Sequence, residues 1–136
     1  MFSDTELVFP IIDSIDNAMA ISATRRLCAD MGFSESDQFL VATVVSELAT
    51  NILHYAGHGE VRIKALHCCG KQGVEVQAVD QGPGIADIDQ ALTDNYSTGG
   101  TLGLGLPSVK RIMDEFTIES EPGCGVRCQA RKWKVS

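Results

Sequence analysis

The pattern of apolar and polar positions along the chain predicts a layered arrangement of helices and strands. Apolar residues spaced by three or four positions predict helices over 13–31, from about 34 to 55, and over 107–115. Runs rich in β-branched residues predict strands over 5–11, 60–68 and 74–80, and 116–121 and 125–133 are predicted to form a closing hairpin around Pro122 and Gly123. The order β-α-α-β-β-α-β-β predicts an α/β two-layer sandwich, with a mixed, mostly antiparallel sheet and helices on one face.

The two longer helices each have an apolar side. In the first helix the apolar positions include Ile15, Ala18, Met19, Leu27 and Met31. The second helix is predicted to start at Ser34, with Asp37 three residues later, and to bury Val41, Val44, Val45, Leu48, Ile52 and Tyr55. A turn at 70–73 is predicted to join the two middle strands, and the segment 86–96 is interpreted as a mobile cover.

Composition narrows the class of protein. The 136 residues fit one domain, 1–136, and the net charge of -7 comes without any run of Lys or Arg. Nucleic acid and membranes are therefore not expected as partners. The acidic N-terminal segment and the absence of a long apolar run predict a cytoplasmic protein. The five cysteines are expected to be reduced and mostly buried.

Three short segments carry candidate chemistry, and the first is a carboxylate and an amide one helical turn apart. Glu47 and Asn51 are neighbours on the flank of the second helix, because residues four apart share a helical face. The carboxylate can accept a proton from an attacking hydroxyl, and an amide oxygen is a suitable Mg²⁺ ligand. Taken alone, the pair is equally consistent with a solvated helix surface.

The second segment, 80–84, has the sequence DQGPG. Asp80 ends a predicted strand, and an ionised carboxylate accepts hydrogen bonds but donates none, so it suits the exocyclic amine of adenine. Gly82 and Gly84 would let a base approach the backbone. The same composition is also typical of a plain β-turn.

The third segment is a glycine-rich stretch, 97–106, that precedes a helix. Its backbone N–H groups can form an anion site. The P-loop pattern and the G-x-G-x-x-G pattern are both absent, since Ser108 stands where a third glycine would belong. A flexible glycine loop is the alternative for this segment alone, but the three segments together favour a nucleotide site.

Glu47-x-x-x-Asn51, Asp80-x-Gly82-x-Gly84 and Gly103-x-Gly105 resemble the N, G1 and G2 boxes of the Bergerat-fold (GHKL) ATPases, which include gyrase, Hsp90, histidine kinases and MutL. The resemblance covers about 46–133. No transducer domain or histidine-bearing dimerisation helix is recognisable, so the chain is similar to the anti-sigma-factor serine/threonine kinases. The stretch 95–116 is similar to that of RsbT-type switch kinases of the stressosome.

The resemblance implies a role for each matching residue. Glu47 would be the general base, Asn51 the ligand of Mg²⁺, and Asp80 the contact to the adenine of ATP. Gly82 and Gly84 would line the base. The phosphates would bind a loop whose candidate contacts are Ser97, Thr98, Gly99, Gly100, Thr101, Leu102, Gly103, Leu104 and Gly105.

The resemblance leaves two functions open. The first is a serine/threonine kinase that phosphorylates a STAS-domain antagonist and, once released, activates a downstream regulator such as a PP2C-type phosphatase. The second is a nucleotide-gated binding switch or anti-sigma factor that sequesters a partner without essential phosphotransfer. Glu47 favours the kinase, because a binding module needs no base beside a metal ligand. Val126 stands where this fold commonly has a nucleotide-contacting Thr, which lowers the expected affinity.

Overall fold

The helices and strands follow one another in the predicted order. The structure, a computed structural model, describes residues 6–82, 105–121 and 123–135. In these ranges the elements are β1 (Glu6–Ile11), α1 (Ser14–Asp30), α2 (Glu35–Tyr55), β2 (Gly59–Cys68), β3 (Lys71–Asp80), α3 (Leu106–Ile112), β4 (Glu115–Glu121) and β5 (Gly125–Trp133). None of the helices in these ranges is long and apolar enough to cross a membrane.

The strands form a five-stranded sheet in the order β1-β2-β3-β5-β4. All four pairings between the described strands are antiparallel, so the expected mostly antiparallel sheet is confirmed and no parallel pair accompanies it. For two of these pairings the reason is local, because β2–β3 and β4–β5 are hairpins and a short turn can join only antiparallel strands. The α/β fold class is likewise confirmed.

The helices cover one face of this sheet. Alternate strand residues point to that face, and α2 packs on β1, β2 and β3 while α1 packs on α2. The fully buried side chains of α2 lie at helical spacing, as predicted, except that Tyr55 is only half-buried. They meet the strand residues Ile11, Val61, Ile63, Val74, Val76 and Ala130. This apolar layer holds the flank of α2 in a fixed position relative to the strand ends.

The N-termini of the two long helices are capped by side chains. The Asp13 side chain accepts hydrogen bonds from the backbone N–H groups of Ile15 and Asp16 at 2.9 and 3.1 Å. The Asp16 carboxylate in turn accepts one from the backbone N–H of Asp13. Ser34 accepts from the N–H of Asp37 at 3.1 Å, so the predicted start of α2 is confirmed. Caps of this kind contribute about 1 kcal/mol each.

The predicted apolar side of α1 is partly wrong. Ile15 and Met19 are 68% and 57% exposed, and Ala18 is exposed as well. The buried positions are instead Ala20, Thr24 and Cys28. These small side chains allow α1 to lie close to α2, and the Thr24 hydroxyl is satisfied by donating to the carbonyl of Ala20 at 2.7 Å.

The hairpin between β2 and β3 also differs from the prediction. Its turn consists of Cys69 and Gly70, not of 70–73, and β3 already begins at Lys71. The helix α3 ends at Ile112, before the predicted 115, because Met113 adopts an extended backbone. The first difference lengthens the sheet at the expense of a turn, and the second shortens a helix.

The cysteines are less buried than expected. All five are free, but Cys68, Cys69 and Cys124 are exposed. The other two are in the core, where burial raises the pKa of Cys28 to about 11 and that of Cys128 to about 12. The two core thiols therefore stay protonated at physiological pH.

The face of the sheet opposite the helices carries charged side chains. Arg131 donates to the carboxylate of Glu75 at 2.7 Å, and Arg62 donates to that of Glu60 at 2.6 Å. The two pairs differ in burial. The side chain of Glu75 is 6% exposed, whereas that of Glu60 is 36% exposed.

Candidate functional site

The carboxylate and the amide of the first motif lie on the flank of α2. Glu47 and Asn51 are half-buried, one turn apart, beside the buried stripe that includes Leu48 and Ile52. Because that stripe is packed into the core, the flank cannot rotate away from the neighbouring elements. The predicted placement of the pair on a shared helical face is confirmed.

Glu47 meets the last glycine of the glycine-rich segment. A Cβ built on Gly105 would overlap the carboxylate of Glu47, so the two residues are in direct contact. Gly105 has a φ of 69° and precedes the first turn of α3. Glycine is required here for two reasons. The backbone is left-handed, and the neighbouring carboxylate leaves no room for a side chain.

The surroundings of Glu47 alter its acidity. Desolvation by burial raises the pKa of its carboxyl group above the ordinary value of 4.5. A higher pKa makes the carboxylate a better proton acceptor. The position is therefore suited to a general base.

The second motif begins at the end of a central strand. Asp80 is the last residue of β3, lies between Gly59 of β2 and Val126 of β5 in the register, and is 9% exposed. Its Oδ1 atom accepts a hydrogen bond from the backbone N–H of Gly82 at 2.9 Å. This bond holds the carboxylate in place and turns the chain out of the sheet.

Small residues make room for the backbone around Asp80. A Cβ on Gly59 would lie 2.8 Å from Cγ2 of Ile52, and one on Gly82 would lie 2.6 Å from Cβ of Ala56. A Cβ on Gly125 would overlap the carbonyl of Asp80. The end of β3 is thus packed closely against the C-terminal end of α2.

The two motifs therefore lie at two places along the same helix. Ala56 marks the Asp80 end and Glu47 the other, and nine residues of helix separate them by about 14 Å. The Asp80 carboxylate and the group formed by Glu47, Asn51 and Gly105 are thus held at a fixed separation by one helix. A separation of this size suits an elongated molecule such as a nucleotide.

The remaining site residues named from the sequence lie outside the described ranges. They are Gly84 and the loop residues Ser97, Thr98, Gly99, Gly100, Thr101, Leu102, Gly103 and Leu104. Their contacts to phosphates, like the roles of the other site residues, stay predictions. The segment 86–96 also lies outside these ranges.

Comparison with known proteins places this geometry in a family. The family model of the histidine kinase-, DNA gyrase B- and HSP90-like ATPases matches residues 36–134, which include both motifs and α3. The chain belongs to this ATPase family. The match starts within α2 and ends just after β5, so it covers the elements that build the candidate site.

Curated relatives narrow the position within the family. The chain is 45% identical over 123 residues to the serine/threonine-protein kinase RsbT of Bacillus subtilis (strain 168), which covers 90% of this chain and 92% of the relative. It is 35% identical over 99 residues, 68% of each chain, to the anti-sigma F factor of Thermoanaerobacter sp. (strain X514). The resemblance to RsbT-type kinases is thereby confirmed, and the chain is a serine/threonine kinase of this ATPase family.

Solved structures support the fold. A chain of the SiaB–SiaC complex from Pseudomonas aeruginosa matches with a TM-score of 0.59 at 17% identity, covering 93% of this chain and 89% of that one. The mycobacterial sensor histidine kinase MprB matches with a TM-score of 0.56 at 14% identity, covering 97% and 98%. At these identities the likeness concerns the fold alone.

Sequence reasoning missed several residues that shape the site. Gly59, the first residue of β2, allows this strand to pass beside Asp80 and Ile52. Ala56 was not considered at all, although it backs Gly82. A possible signal is the concentration of small residues at 56, 57 and 59, directly before a strand.

Proposed function

We propose that this kinase transfers the γ-phosphoryl group of ATP to a serine or threonine of a small STAS-domain antagonist in a stress-response partner-switching pathway. The observation that carries the proposal is the contact between the half-desolvated Glu47 carboxylate and Gly105. This contact places a carboxylate that can act as a base next to Gly105, the last glycine of the glycine-rich segment. The relation to the serine/threonine-protein kinase RsbT supports the choice of a protein hydroxyl as acceptor.

Glu47 is assigned the role of general base. Its carboxylate accepts the proton of the acceptor hydroxyl while the hydroxyl oxygen forms a bond to the γ-phosphorus, and ADP leaves as the P–O bond to its β-phosphate breaks. Partial burial strengthens the base, and contact with Gly105 holds it at one position. A fixed base avoids part of the cost of orientation.

Asp80 is assigned to the adenine ring. Because Oδ1 is engaged by the N–H of Gly82, Oδ2 is left to accept a hydrogen bond from the exocyclic amine of the base. Burial of this carboxylate among the ends of β2, β3 and β5 makes the contact selective, since guanine presents an oxygen at the same place. Gly82 and Gly84 would lie beside the ring.

Asn51 is the proposed ligand of Mg²⁺. Its amide oxygen is a hard donor of the type that Mg²⁺ accepts, and its place one turn from Glu47 suits a metal shared with phosphate oxygens. Bound Mg²⁺ would neutralise the charge that develops on the phosphates. Asn51 itself would orient that ion relative to Glu47.

The partners follow from the family relation. Phosphorylation of a STAS-domain protein would release the kinase, which would then activate a PP2C-type phosphatase or another downstream regulator in the cytoplasm. A nucleotide-gated binding switch is the second candidate function. Its support is the similarity to the anti-sigma F factor of Thermoanaerobacter sp. (strain X514), 35% identical over 99 residues.

The test compares two variants that have opposite expected effects. Glu47→Gln should leave ATP binding nearly unchanged and reduce transfer by at least a hundredfold, whereas Asp80→Asn should weaken ATP binding about tenfold or more. Binding is measured by calorimetry. Transfer is measured by the intact mass of STAS-domain proteins encoded near this gene, after incubation with Mg-ATP.

The outcomes separate the two functions. A phosphate-sized mass gain on one STAS-domain protein, absent with Glu47→Gln, supports the kinase. A nucleotide-dependent complex without any gain in mass supports the binding switch. Equal loss of ATP binding in both variants would contradict the roles assigned to Glu47 and Asp80.

A further inference from the structure

The turn between β2 and β3 has an unusual residue in a strained position. Cys69 and Gly70, its two central residues, have φ values of 56° and 81°, the signs that a type I′ hairpin turn requires. Asn, Asp and Gly normally fill the first position, since they tolerate a positive φ. Cys69 is the one non-glycine residue with a positive φ in the described ranges, and this costs about 1 kcal/mol.

The turn brings two thiols together. Adjacent residues of a strand point to opposite faces, which would keep neighbouring sulfur atoms apart. Here the Sγ atoms of Cys68 and Cys69 are 3.5 Å apart, and both side chains are exposed. The left-handed backbone at Cys69 thus places both sulfur atoms on one side of the turn, where they can react with each other.

We propose that Cys68 and Cys69 form an oxidation-sensitive dithiol, which a low-molecular-weight disulfide converts into a disulfide between these two adjacent residues. The proposal is independent of the phosphotransfer function. It rests on the contact between the sulfur atoms, their exposure and the strained backbone that creates the contact.

The reaction is a double exchange. The Cys69 thiolate attacks one sulfur of the small disulfide, forms a mixed disulfide and releases one small thiolate. The Cys68 thiolate then attacks Sγ of Cys69 and releases the second small thiolate. The two protons lost by the cysteines pass through water to the released thiolates. The protein is oxidised by two electrons, and the small disulfide is reduced to two thiols.

The order of attack follows from the contact between the thiols. The hydrogen bond to Cys69 is the main cause that raises the pKa of Cys68. The raised pKa disfavours the Cys68 thiolate as the first attacker, which suits the second step. Once Cys69 carries the mixed disulfide, the Cys69 thiol is gone and with it the main cause that raises the pKa of Cys68.

The other cysteines are poorly placed for this reaction. Cys28 and Cys128 are buried, and desolvation raises their pKa values to about 11 and about 12. Cys124 is exposed, but it precedes β5 at the Asp80 end of the sheet. The length of β3, about 30 Å, separates that end from the Cys69 turn. Within one molecule, none of these three cysteines is placed to form a disulfide with Cys68 or Cys69.

The product would be readily reduced. Consecutive Cα atoms of a trans peptide are about 3.8 Å apart, below the roughly 4.4 Å at which the usual disulfide range begins. A bond closed over such a short span stores strain and returns easily to the dithiol. Reversibility of this kind is characteristic of regulatory disulfides, whereas structural ones resist reduction.

The experiment uses the full chain and oxidised glutathione. After incubation, the chain is alkylated and its intact mass and cysteine peptides are analysed. We expect the loss of two hydrogen atoms, protection of Cys68 and Cys69 from alkylation, and full reversal by dithiothreitol. The Cys124→Ser variant should behave in the same way.

Two further variants test the mechanism. Cys68→Ser should stop at a glutathione adduct on Cys69, because the second sulfur is missing. Cys69→Asn places the preferred residue in the turn, so it should fold, lose no pair of hydrogen atoms and carry at most a glutathione adduct on Cys68. A stable glutathione adduct on the wild-type pair, a disulfide between two chains, or unchanged alkylation of both residues would each overturn the proposal.

Discussion

The carboxylate of Glu47, in the middle of α2, lies directly against the Cα atom of Gly105, at the start of α3. The contact joins two segments separated by 58 positions in the chain (105 minus 47). It fixes where the carboxylate points, and it leaves no room for a side chain at position 105. The predictions below begin with this contact.

Gly105→Ala should impair transfer while the fold persists. The added methyl group overlaps the Glu47 carboxylate and must displace it, so we expect at least a tenfold fall in kcat. The backbone adds a cost of about 1–2 kcal/mol, since its φ is 69°. Kinetics and thermal unfolding of the same preparation measure the two effects.

Gly57→Ala is the matched control for this variant. Its φ is 84°, but a Cβ there meets no atom within 4 Å. It should carry a similar backbone cost and leave kcat unchanged. If both variants lost the same activity, strain and not displacement of Glu47 would be the cause.

The transfer rate should depend on the ionisation of Glu47. A base works only when deprotonated, so kcat falls as the pH drops through its pKa. Because burial raises that pKa, the acid limb should lie at higher pH than for a fully solvated glutamate. Glu47→Asp should move the limb to lower pH and reduce the maximal rate, because aspartate is more acidic. ATP affinity, measured over the same pH range, separates an effect on the transfer step from an effect on binding. An acid limb that does not move would mean that another group titrates.

Val126→Thr should strengthen nucleotide binding. Position 126 lies opposite Asp80 in the register and is half-buried, and threonine has nearly the shape of valine. One new hydrogen bond to the nucleotide would contribute about 1 kcal/mol, or roughly a fivefold lower Kd. Calorimetry with ATP is the measurement. An unchanged or higher Kd would show that the added hydroxyl finds no partner on the nucleotide.

Arg131 and Arg62 lie on the face of the sheet opposite the helices, and replacing them should lower stability by different amounts. Arg131→Ala leaves the carboxylate of Glu75, 6% exposed, without its cation, and should lower the free energy of unfolding by about 2 kcal/mol. Arg62→Ala removes an ion pair of similar length between exposed side chains, so little change is expected. Urea unfolding of both variants tests this contrast. Equal losses would contradict the role assigned to burial.

Much of the fold could be read from local patterns. The spacing of Val41, Val44, Val45, Leu48 and Ile52 predicted the buried stripe of α2, because a long apolar stripe has few other ways to be buried. The same spacing placed Glu47 and Asn51 on one flank. The start of α2 at Ser34 was also predictable, since a cap involves only neighbouring residues.

The errors occurred where small or turn residues are decisive. Ile15 and Met19 suggested the apolar side of α1, but the helix packs through Ala20, Thr24 and Cys28, because close approach to α2 favours small side chains. The glycines at 70 and 73 suggested a four-residue turn, whereas the chain turns at Cys69 and Gly70. Neither the buried side of α1 nor the position of this turn is determined by hydrophobicity alone.

The sequence by itself determined the order of the elements, the buried stripe of α2 and the residue types available at the candidate site, since these depend on periodicity and side-chain chemistry. Only the tertiary structure decided that Glu47 touches Gly105, that Val126 faces Asp80, and that the Cys68 and Cys69 sulfurs meet. The first two contacts join residues far apart in the chain. The third depends on a positive φ, and no spacing rule specifies how a turn directs its side chains.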